Sequence, residues 1–307
     1  MRIIETSEPF HIETPTAVSI GKFDGMHLGH KALIGDLLKQ KEKGLKTAVL
    51  TFHPSPEAFF SKGTRKELST KEEKRRQFAK MGVDVLVELA FNEVIAATPP
   101  EAFIEDILVK QMHAAYIAAG PDLSYGDKGK GDFALLEKLA GKFGYETEMI
   151  PKVRLDGKEI SSTYVRSLVQ AGKMEEAARA LGEPYSVIGR VRHGRALGRR
   201  IHIPTANQVP EERKLLPPFG VYYSIVTTGG KEVYGMTNIG TKPTVNDTPE
   251  VTIETYLYDF EGDIYDSEIE TRLLTWKRPE KRFSGVEELK QAMLQDLEDG
   301  RRYFQEH

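Results

Sequence analysis

Two histidines three positions apart, His27 and His30, lie inside the glycine-rich run GKFDGMHLGH at residues 21–30. Imidazoles at i and i+3 project from one side of a helix start, where unpaired N–H groups and the positive dipole end favour phosphate oxygens. Such a turn suits a nucleoside triphosphate, because donors held there can stabilise charge developing on a phosphorus centre and its leaving group. Gly21, Gly25 and Gly29 read as points where the backbone turns tightly and approaches the ligand, with Phe23 and Asp24 in the same turn. The competing use of a histidine pair is a zinc site, but the chain has no cysteine and no HExxH run to complete one.

Three further constellations carry chemical potential. In ISSTYVR, Ser161, Ser162 and Thr163 offer hydroxyls and early-helix N–H groups, and Arg166 one turn on can reach the same anion. Alone, that run reads as an ordinary N-cap; beside GKFDGMHLGH in one α/β domain it reads as a triphosphate grip. In RHGRALGRRIHIPTAN, Arg192, Arg195, Arg199 and Arg200 with Gly194 and Gly198 make a basic loop suited to a phosphate chain. Pro204 then leads into Thr205 and Asn207, whose hydroxyl and amide oxygens could hold Mg²⁺ on a nucleotide, since hard cations prefer oxygen. A nucleic-acid patch ranks below a nucleotide, because no aromatics interleave and the chain is acidic overall. Glu254 in VTIETYLYDF faces water by spacing alone, and only a barrel interior open to ligand would make it a general base.

These residues need two kinds of scaffold. Up to about residue 183, short apolar runs alternate with helical patterns. The runs Ala17–Ile20, Thr47–Phe52, Val83–Leu89, Ala115–Ala119 and Tyr145–Ile150 predict strands. The periodic Leu33, Ile34, Leu37 and Leu38 predict one helix, Thr70 with Glu73 a capping box on another, and Pro99–Pro100 the start of a third. Alternating strand and helix implies a Rossmann-like α/β domain with a parallel sheet, whose ligands bind at the carboxyl ends of the strands. GKFDGMHLGH, TFHPSP (Thr51 to Pro56) and GPDLSYGDKGKGD (Gly120 to Asp132) all fall at such ends.

After Gly182, Glu183 and Pro184 the period changes to two. Val251, Ile253 and Leu257 alternate with Glu254, Tyr256 and Tyr258, and Gly229–Gly230 marks a hairpin. The expectation is a mainly-β second domain, a small antiparallel barrel closed by a C-terminal helix. That helix is opened by a Ser284–Glu287 capping box and carries Val286, Leu289, Met293 and Leu297 on one side. The domains are placed at 1–183 and 184–307.

The 307 residues suffice for two cores, and 39% hydrophobic with 29% charged residues is ordinary for a globular chain. A net charge of −3 argues against a general nucleic-acid or membrane-surface binder. The absence of cysteine, the acidic start MRIIETSEPF and the lack of an apolar run near about 18 residues predict a cytoplasmic protein without a membrane partner. Composition leaves the oligomeric state open.

In their order along the chain, these motifs resemble the bacterial bifunctional riboflavin kinase and FMN adenylyltransferase (FAD synthetase) family. GKFDGMHLGH, TFHPSP, GPDLSYGDKGKGD and ISSTYVR resemble its adenylyltransferase motifs. HGRALGRRIHIPTANQ, PPFGVYY, TNIGTKPTV, IETYLYDF and the KRPEKRF segment resemble its kinase motifs. The resemblance implies that the C-terminal barrel phosphorylates riboflavin from MgATP and that the N-terminal domain joins FMN to the AMP moiety of a second ATP. By position it makes His27, His30, Ser162, Thr163 and Arg166 the triphosphate grip, and Glu254 the kinase base. Gly194, Gly198, Arg199 and Pro204 fall in its kinase nucleotide loop, and Thr205 and Asn207 hold Mg²⁺. Pro56, Asp122, Gly126, Asn238 and Arg278 become flavin contacts. The chain departs from the family at His202 (usually glycine), Ile203 (an aromatic), Leu123 (Phe) and Asp266 (glycine). Those departures keep open an adenylyltransferase whose barrel only binds flavin. A nucleotide sensor using the arginine loop and a nucleotidyltransferase for another phosphate acceptor are further alternatives.

Overall fold

The computed structural model describes residues 1–61, 65–192, 205–242, 250–281 and 283–307. They form two compact units, Met1–Tyr164 and Val165–His307. The first unit is built on β1 (Arg2–Thr6), β2 (Thr16–Ile20), β3 (Lys46–Phe52), β4 (Val85–Leu89), β5 (Ala114–Ala119) and β6 (Glu146–Met149). All pair in parallel, in the order β1-β4-β3-β2-β5-β6. β2 and β4 are buried along their whole length, as strands covered on both faces must be. Alternate residues serve opposite cores. Val18, Leu50 and Val87 pack with Phe103, Ile104 and Leu108, while Ala17, Val49 and Leu86 pack with Leu33, Ile34, Leu37 and Phe78.

The predicted strands are present within one or two residues of their expected ends. β1 carries no recognisable pattern, since Arg2 and Glu5 flank only Ile3 and Ile4; it is an edge strand aligned on β4, and pairing rather than apolar periodicity creates it. The helix Lys71–Met81 has its reciprocal Thr70–Glu73 capping box. The chain opened by Pro99 and Pro100 continues as a helix whose Phe103–Gln111 portion widens to i→i+5 hydrogen bonding. β2, β3 and β4 grow toward one edge and β5 and β6 toward the other, so the strand order reverses between β2 and β5. The loops after those two strands flank that switch point, where open α/β sheets leave a crevice.

The second unit begins with the helices Ser162–Gln170, in most of its length, and Met174–Leu181. A closed barrel follows, made of β9 (Tyr185–Arg192), β10 (Ala206–Gln208), β11 (Gly220–Thr228), β12 (Lys231–Lys242), β13 (Glu250–Leu257) and β14 (Glu268–Pro279), in the order β10-β13-β12-β11-β14-β9; the two short strands β7 (Arg154–Leu155) and β8 (Lys158–Glu159) pair separately in the first unit. Gly229 and Gly230, both at positive φ, turn β11 into β12 as expected. The barrel interior is partly polar but satisfied: Ser224, Thr237 and Thr255 form a buried hydroxyl chain at 2.7 and 2.8 Å. Gln208 donates to the Val187 carbonyl at 3.0 Å and accepts from Thr271 at 3.0 Å.

The closing helix, Val286–Glu306, differs from expectation at its start. Ser284 donates its N–H and its hydroxyl to Glu288, not Glu287 (2.9 and 2.7 Å), because Gly285, extended at φ −170°, occupies the cap and shifts the frame by one residue. Val286 is consequently exposed, while Met293 and Leu297 pack on Val221, Met236 and Tyr258. The helix is clamped by Arg278 to Asp296, Lys277 to Asp299 and Arg301 to Asp259. Tyr258 also donates to the Leu297 carbonyl, and the missing side chain of Gly300 lets the helix cross Tyr258 and Tyr223.

Candidate functional sites

At the end of β2 the backbone leaves the sheet through Phe23, Gly25 and Met26, all at positive φ. It enters the helix Leu28–Lys39 with His27 as the N-cap. The His27 Nδ1 accepts the His30 backbone N–H at 3.3 Å, so the proton of the neutral ring sits on Nε2 as a donor. The two imidazoles stack at 3.7 Å between centroids, and Phe23 packs on His30 at 5.1 Å. Burial pushes His27 down from 6.5 to about 4, against a smaller upward pull from Asp24. Burial, then His27, pushes His30 down as well. The pair is therefore neutral at pH 7 without ligand, and among the described residues the buried His30 Nδ1 has no hydrogen-bond partner.

The turn is held by its neighbours. Asp24 accepts the Ser69 N–H at 3.1 Å, and its carbonyl accepts the Ser162 hydroxyl at 2.8 Å. Ser161 accepts the Tyr164 N–H at 3.2 Å, in cap fashion. A Cβ on Gly29 would stand 3.1 Å from the His27 ring and 3.8 Å from the Ile160 carbonyl. Two helix N-termini, at Leu28 and Ser162, thus meet at one turn, which brings together the motifs GKFDGMHLGH and ISSTYVR. Thr163 is exposed, and Arg166 lies one turn further along its helix. Gly25, at φ 88°, turns the chain as expected, and packing adds a second local cause for the glycines. A Cβ on Gly21 would strike the Phe23 ring at 2.9 Å, and one on Gly25 would strike Leu68 at 2.8 Å, so both make room for the protein's own side chains.

The neighbouring strand ends carry the remaining first-unit candidates. After β3, Ser55 caps the short helix Pro56–Phe60, with Pro56 at its first position. Phe52, Phe59 and Phe60 gather edge-on around Phe91 at 5.4 to 5.9 Å, and Phe60 is 69% exposed. The one local sequence signal of this aromatic group is Phe59–Phe60, two residues beyond TFHPSP, and the expectations above did not include it. In the loop after β5, Tyr125 and Gly131 exchange backbone hydrogen bonds at 3.0 and 2.9 Å. Gly126, at φ 71°, has its absent Cβ facing Pro100 at 2.8 Å. Asp122 is exposed and paired with Lys152 at 2.8 Å. Leu123 packs against the core.

In the barrel the candidates come together only through register. Asn207 stands opposite both Arg192 and Glu254, Glu254 opposite Asn238, Asn238 opposite Val221, and Val221 opposite Arg278. Directly opposite residues share a face at roughly 4.5–5.5 Å between Cβ atoms, so these side chains form one transverse row. Their face is the outer one, in keeping with the outward side that spacing alone predicts for Glu254. Ile253, Thr255 and Leu257 take the interior, whereas Val221 in the same row packs beneath the closing helix. Glu254, Asn207 and Asn238 are half-buried. Asn207 donates to the Thr205 carbonyl at 3.3 Å. The Arg278 guanidinium is engaged with Asp296 through Nε and Nη2 (3.0 and 2.6 Å), so its visible role is to hold the helix. Asp266 adopts φ 57°, the left-handed conformation that its usual glycine would supply, and Asp tolerates it better than most side chains. Gly194, Arg195, Gly198, Arg199, Arg200, His202, Ile203 and Pro204 lie outside the described residues.

The FAD synthetase family profile matches residues 10–164, and the riboflavin kinase profile residues 181–304. A bifunctional riboflavin kinase/FMN adenylyltransferase of Listeria monocytogenes is 38% identical over 291 residues, covering 94% of this chain and 92% of that one. Its counterpart from Bacillus subtilis is 36% identical over 314 residues, covering 99% and 98%. A Streptococcus pneumoniae crystal structure, described as that of a macrolide-efflux protein, superposes with a TM-score of 0.85 at 28% identity, covering 98% and 99%. Among the described residues no helix is long and apolar enough to cross a membrane.

Proposed function

The chain belongs to the family of bifunctional riboflavin kinase/FMN adenylyltransferases, and from that premise we propose how its residues divide two phosphorus-transfer reactions. Residues 1–183 make FAD from FMN and ATP, and residues 184–307 make FMN from riboflavin and ATP. The kinase profile over the barrel favours this reading over a barrel that only binds flavin. A cytoplasmic location fits both substrates.

In the first reaction a phosphate oxygen of FMN attacks the α-phosphorus of ATP. The new P–O bond forms as the bond to the departing pyrophosphate breaks. The attacking phosphate is already an anion, so no base is needed, and catalysis is a matter of positioning and charge stabilisation. The His27 Nε2–H, the N–H groups at the starts of two helices and the Ser162, Thr163 and Arg166 side chains supply that stabilisation. A bound triphosphate would also draw protons onto the histidines that burial keeps neutral. Pro56, Asp122, Gly126 and the Phe52, Phe59, Phe60 and Phe91 group border the flavin.

In the second reaction the terminal ribityl hydroxyl attacks the γ-phosphorus of ATP, ADP departs, and Glu254 takes the hydroxyl proton. When bound, Mg²⁺ neutralises phosphate charge. Thr205 and Asn207 would hold it through hydroxyl and amide oxygens, the hard donors this ion prefers, and Asn207 lies directly across the strand from Glu254. Asn238, in the same row, meets the flavin side; Arg278 supports the row through Asp296.

One observation carries the reading: each unit has its own oxygen-binding constellation, the histidine turn in one and the Asn207–Glu254–Asn238 row in the other. The test is flavin chromatography on wild type, H27A/H30A and E254Q, each given riboflavin or FMN with MgATP. The double histidine variant should accumulate FMN from riboflavin and make no FAD; E254Q should make FAD from FMN and no FMN from riboflavin. Loss of both products in either variant, with the fold intact, would reject the division.

A further inference from the structure

Lys22 is the one titratable side chain of GKFDGMHLGH besides Asp24 and the two histidines, and the two reactions leave it without a role. It stands two residues past the end of β2, where the Gly21 N–H still donates to the Leu50 carbonyl of β3 at 3.0 Å. Ile20 packs in the core that holds Leu50 and Phe103, whereas a Cβ on Gly21 would strike Phe23, which belongs to the core on the other face. Continued alternation turns Lys22 back to the Ile20 side. There its ammonium donates to the carboxylate of Glu57, in the helix Pro56–Phe60 that follows β3. Phe52 packs on that same side and joins Phe59 and Phe60 around Phe91. One ion pair therefore spans the gap between the histidine turn and the helix of the aromatic group.

The pair is accessible and readily exchanged. The Lys22 and Glu57 side chains are 52% and 33% exposed, and among the described residues Glu57 is the only partner of the ammonium. Burial works against ionisation of Glu57, but its hydrogen bonds to Lys22 and to its own N–H, with the pull of Lys22 and Arg65, hold its carboxyl below the usual range. An exposed lysine–carboxylate pair contributes little, because water screens the attraction and fixing two long side chains costs entropy. A phosphate dianion offers the same ammonium more charge and three acceptor oxygens, so it displaces a single carboxylate. Adenylyl transfer needs a cation at such a place. The phosphate of FMN must approach the α-phosphorus of a bound triphosphate, and the two anions repel unless fixed positive charge lies between them. With the flavin ring against the aromatic group and the triphosphate at the histidine turn, that phosphate passes the end of β2, where Lys22 stands.

We propose that Lys22 leaves Glu57 to bind the phosphate of FMN, and that Glu57 is a positioning residue that competes with this phosphate for the ammonium. The inference rests on the adenylyl-transfer reading of the first unit and adds to it the group that recognises the acceptor's phosphate. Lys22 then favours FMN over riboflavin, whose ribityl chain ends in an uncharged hydroxyl.

The test is steady-state FAD formation by the full chain from FMN and MgATP, each varied at a saturating level of the other, for wild type, Lys22→Met, Lys22→Arg and Glu57→Gln. Lys22→Met should raise KM for FMN about tenfold or more, the loss expected for one charge-assisted hydrogen bond, and leave KM for ATP within about twofold. Lys22→Arg should restore most of that loss. Glu57→Gln should change KM for FMN in the opposite direction, lowering it about two- to fivefold, because the ammonium no longer has to be drawn from a carboxylate. A pair that only ties two loops together would make both variants worse; that result, or an unchanged KM for FMN in Lys22→Met, would overturn the proposal. A rise in KM for ATP alone would also overturn it, by assigning Lys22 to the triphosphate. If Lys22→Met melts early, Glu57→Gln decides, and a KM for FMN that is unchanged or raised there counts against the proposal. H27A/H30A separates this inference from the reading beneath it: FAD formation that persists in that variant rejects the histidine turn and Lys22 together, whereas its loss beside an unaltered Lys22→Met rejects the role of Lys22 alone.

Discussion

The two sites of this chain are assembled by opposite routes. In the first unit, His27 and His30 are three residues apart at a helix start, where their rings stack at 3.7 Å. In the second, Asn207, Asn238, Glu254 and Arg278 come from four strands and meet only through antiparallel register. The first site is consequently a compact buried turn whose environment changes its ionisation. The second is an open row whose geometry depends on every strand keeping its pairing and on the helix laid across one end. A local site is vulnerable at its own residues, whereas a register site is also vulnerable at the supports that hold the strands and helix in place.

The largest expected effect tests whether the row has one chemical centre. E254Q should lower FMN formation from riboflavin by about 100- to 10,000-fold, the range general-base loss produces, with FAD formation from FMN unchanged; quenched-flow chromatography reads both. The matching break in the first unit is H30A, expected to lower FAD formation by about 100- to 1,000-fold through lost charge stabilisation while the kinase rate stays as it was.

Next comes the support of the row. Asp296 is buried and grips Arg278, so D296A should cost the second unit about 3 kcal/mol by leaving a cation without its partner. Urea denaturation should show the loss, with kinase activity more temperature-sensitive than adenylyl transfer. The distant supports of the histidine turn are neutral hydrogen-bond donors, Ser69 and Ser162 on Asp24.

Ionisation gives a smaller and more specific contrast. His27 titrates near 6.5 when unfolded and about 4 when folded, so between those values the unfolded chain binds more protons. Stability contributed by the neutral ring is complete above pH 6.5 and declines as pH falls toward 4, by roughly 2 kcal/mol at pH 5. His30 adds to the decline with the same sign. Between pH 7 and pH 5, thermal midpoints should fall less in H27A/H30A than in wild type. The smallest effect belongs to a helix cap: T70A removes a reciprocal capping pair and should cost about 1 kcal/mol. It should leave both rate constants at 25 °C nearly unchanged.

Part of this architecture could be read without coordinates. The buried runs of β2 to β5 and the Thr70–Glu73 cap declared themselves because burial on both faces and capping chemistry leave local marks. β1 did not, because an edge strand needs a partner more than a pattern. The closing helix was legible but its cap was not, since Ser284 could bond either of two adjacent glutamates and the extended Gly285 selects Glu288. Asn207 and Glu254 could be named from their motifs, yet their being opposite one another could not.

Residue types, the local spacing of His27 and His30, the two structural periods and the order of the motifs belong to the chain before it folds. Those properties depend on covalent neighbours and on the 3.6- and 2-residue repeats of helix and strand. Tertiary structure decided the rest: that burial keeps the histidine pair neutral, that Gly21 and Gly25 yield space to Phe23 and Leu68, and that Glu254 stands beside Asn207 and Asn238. Desolvation, close packing and strand register are relations between distant residues, and no stretch of chain carries them until the fold brings its partners together.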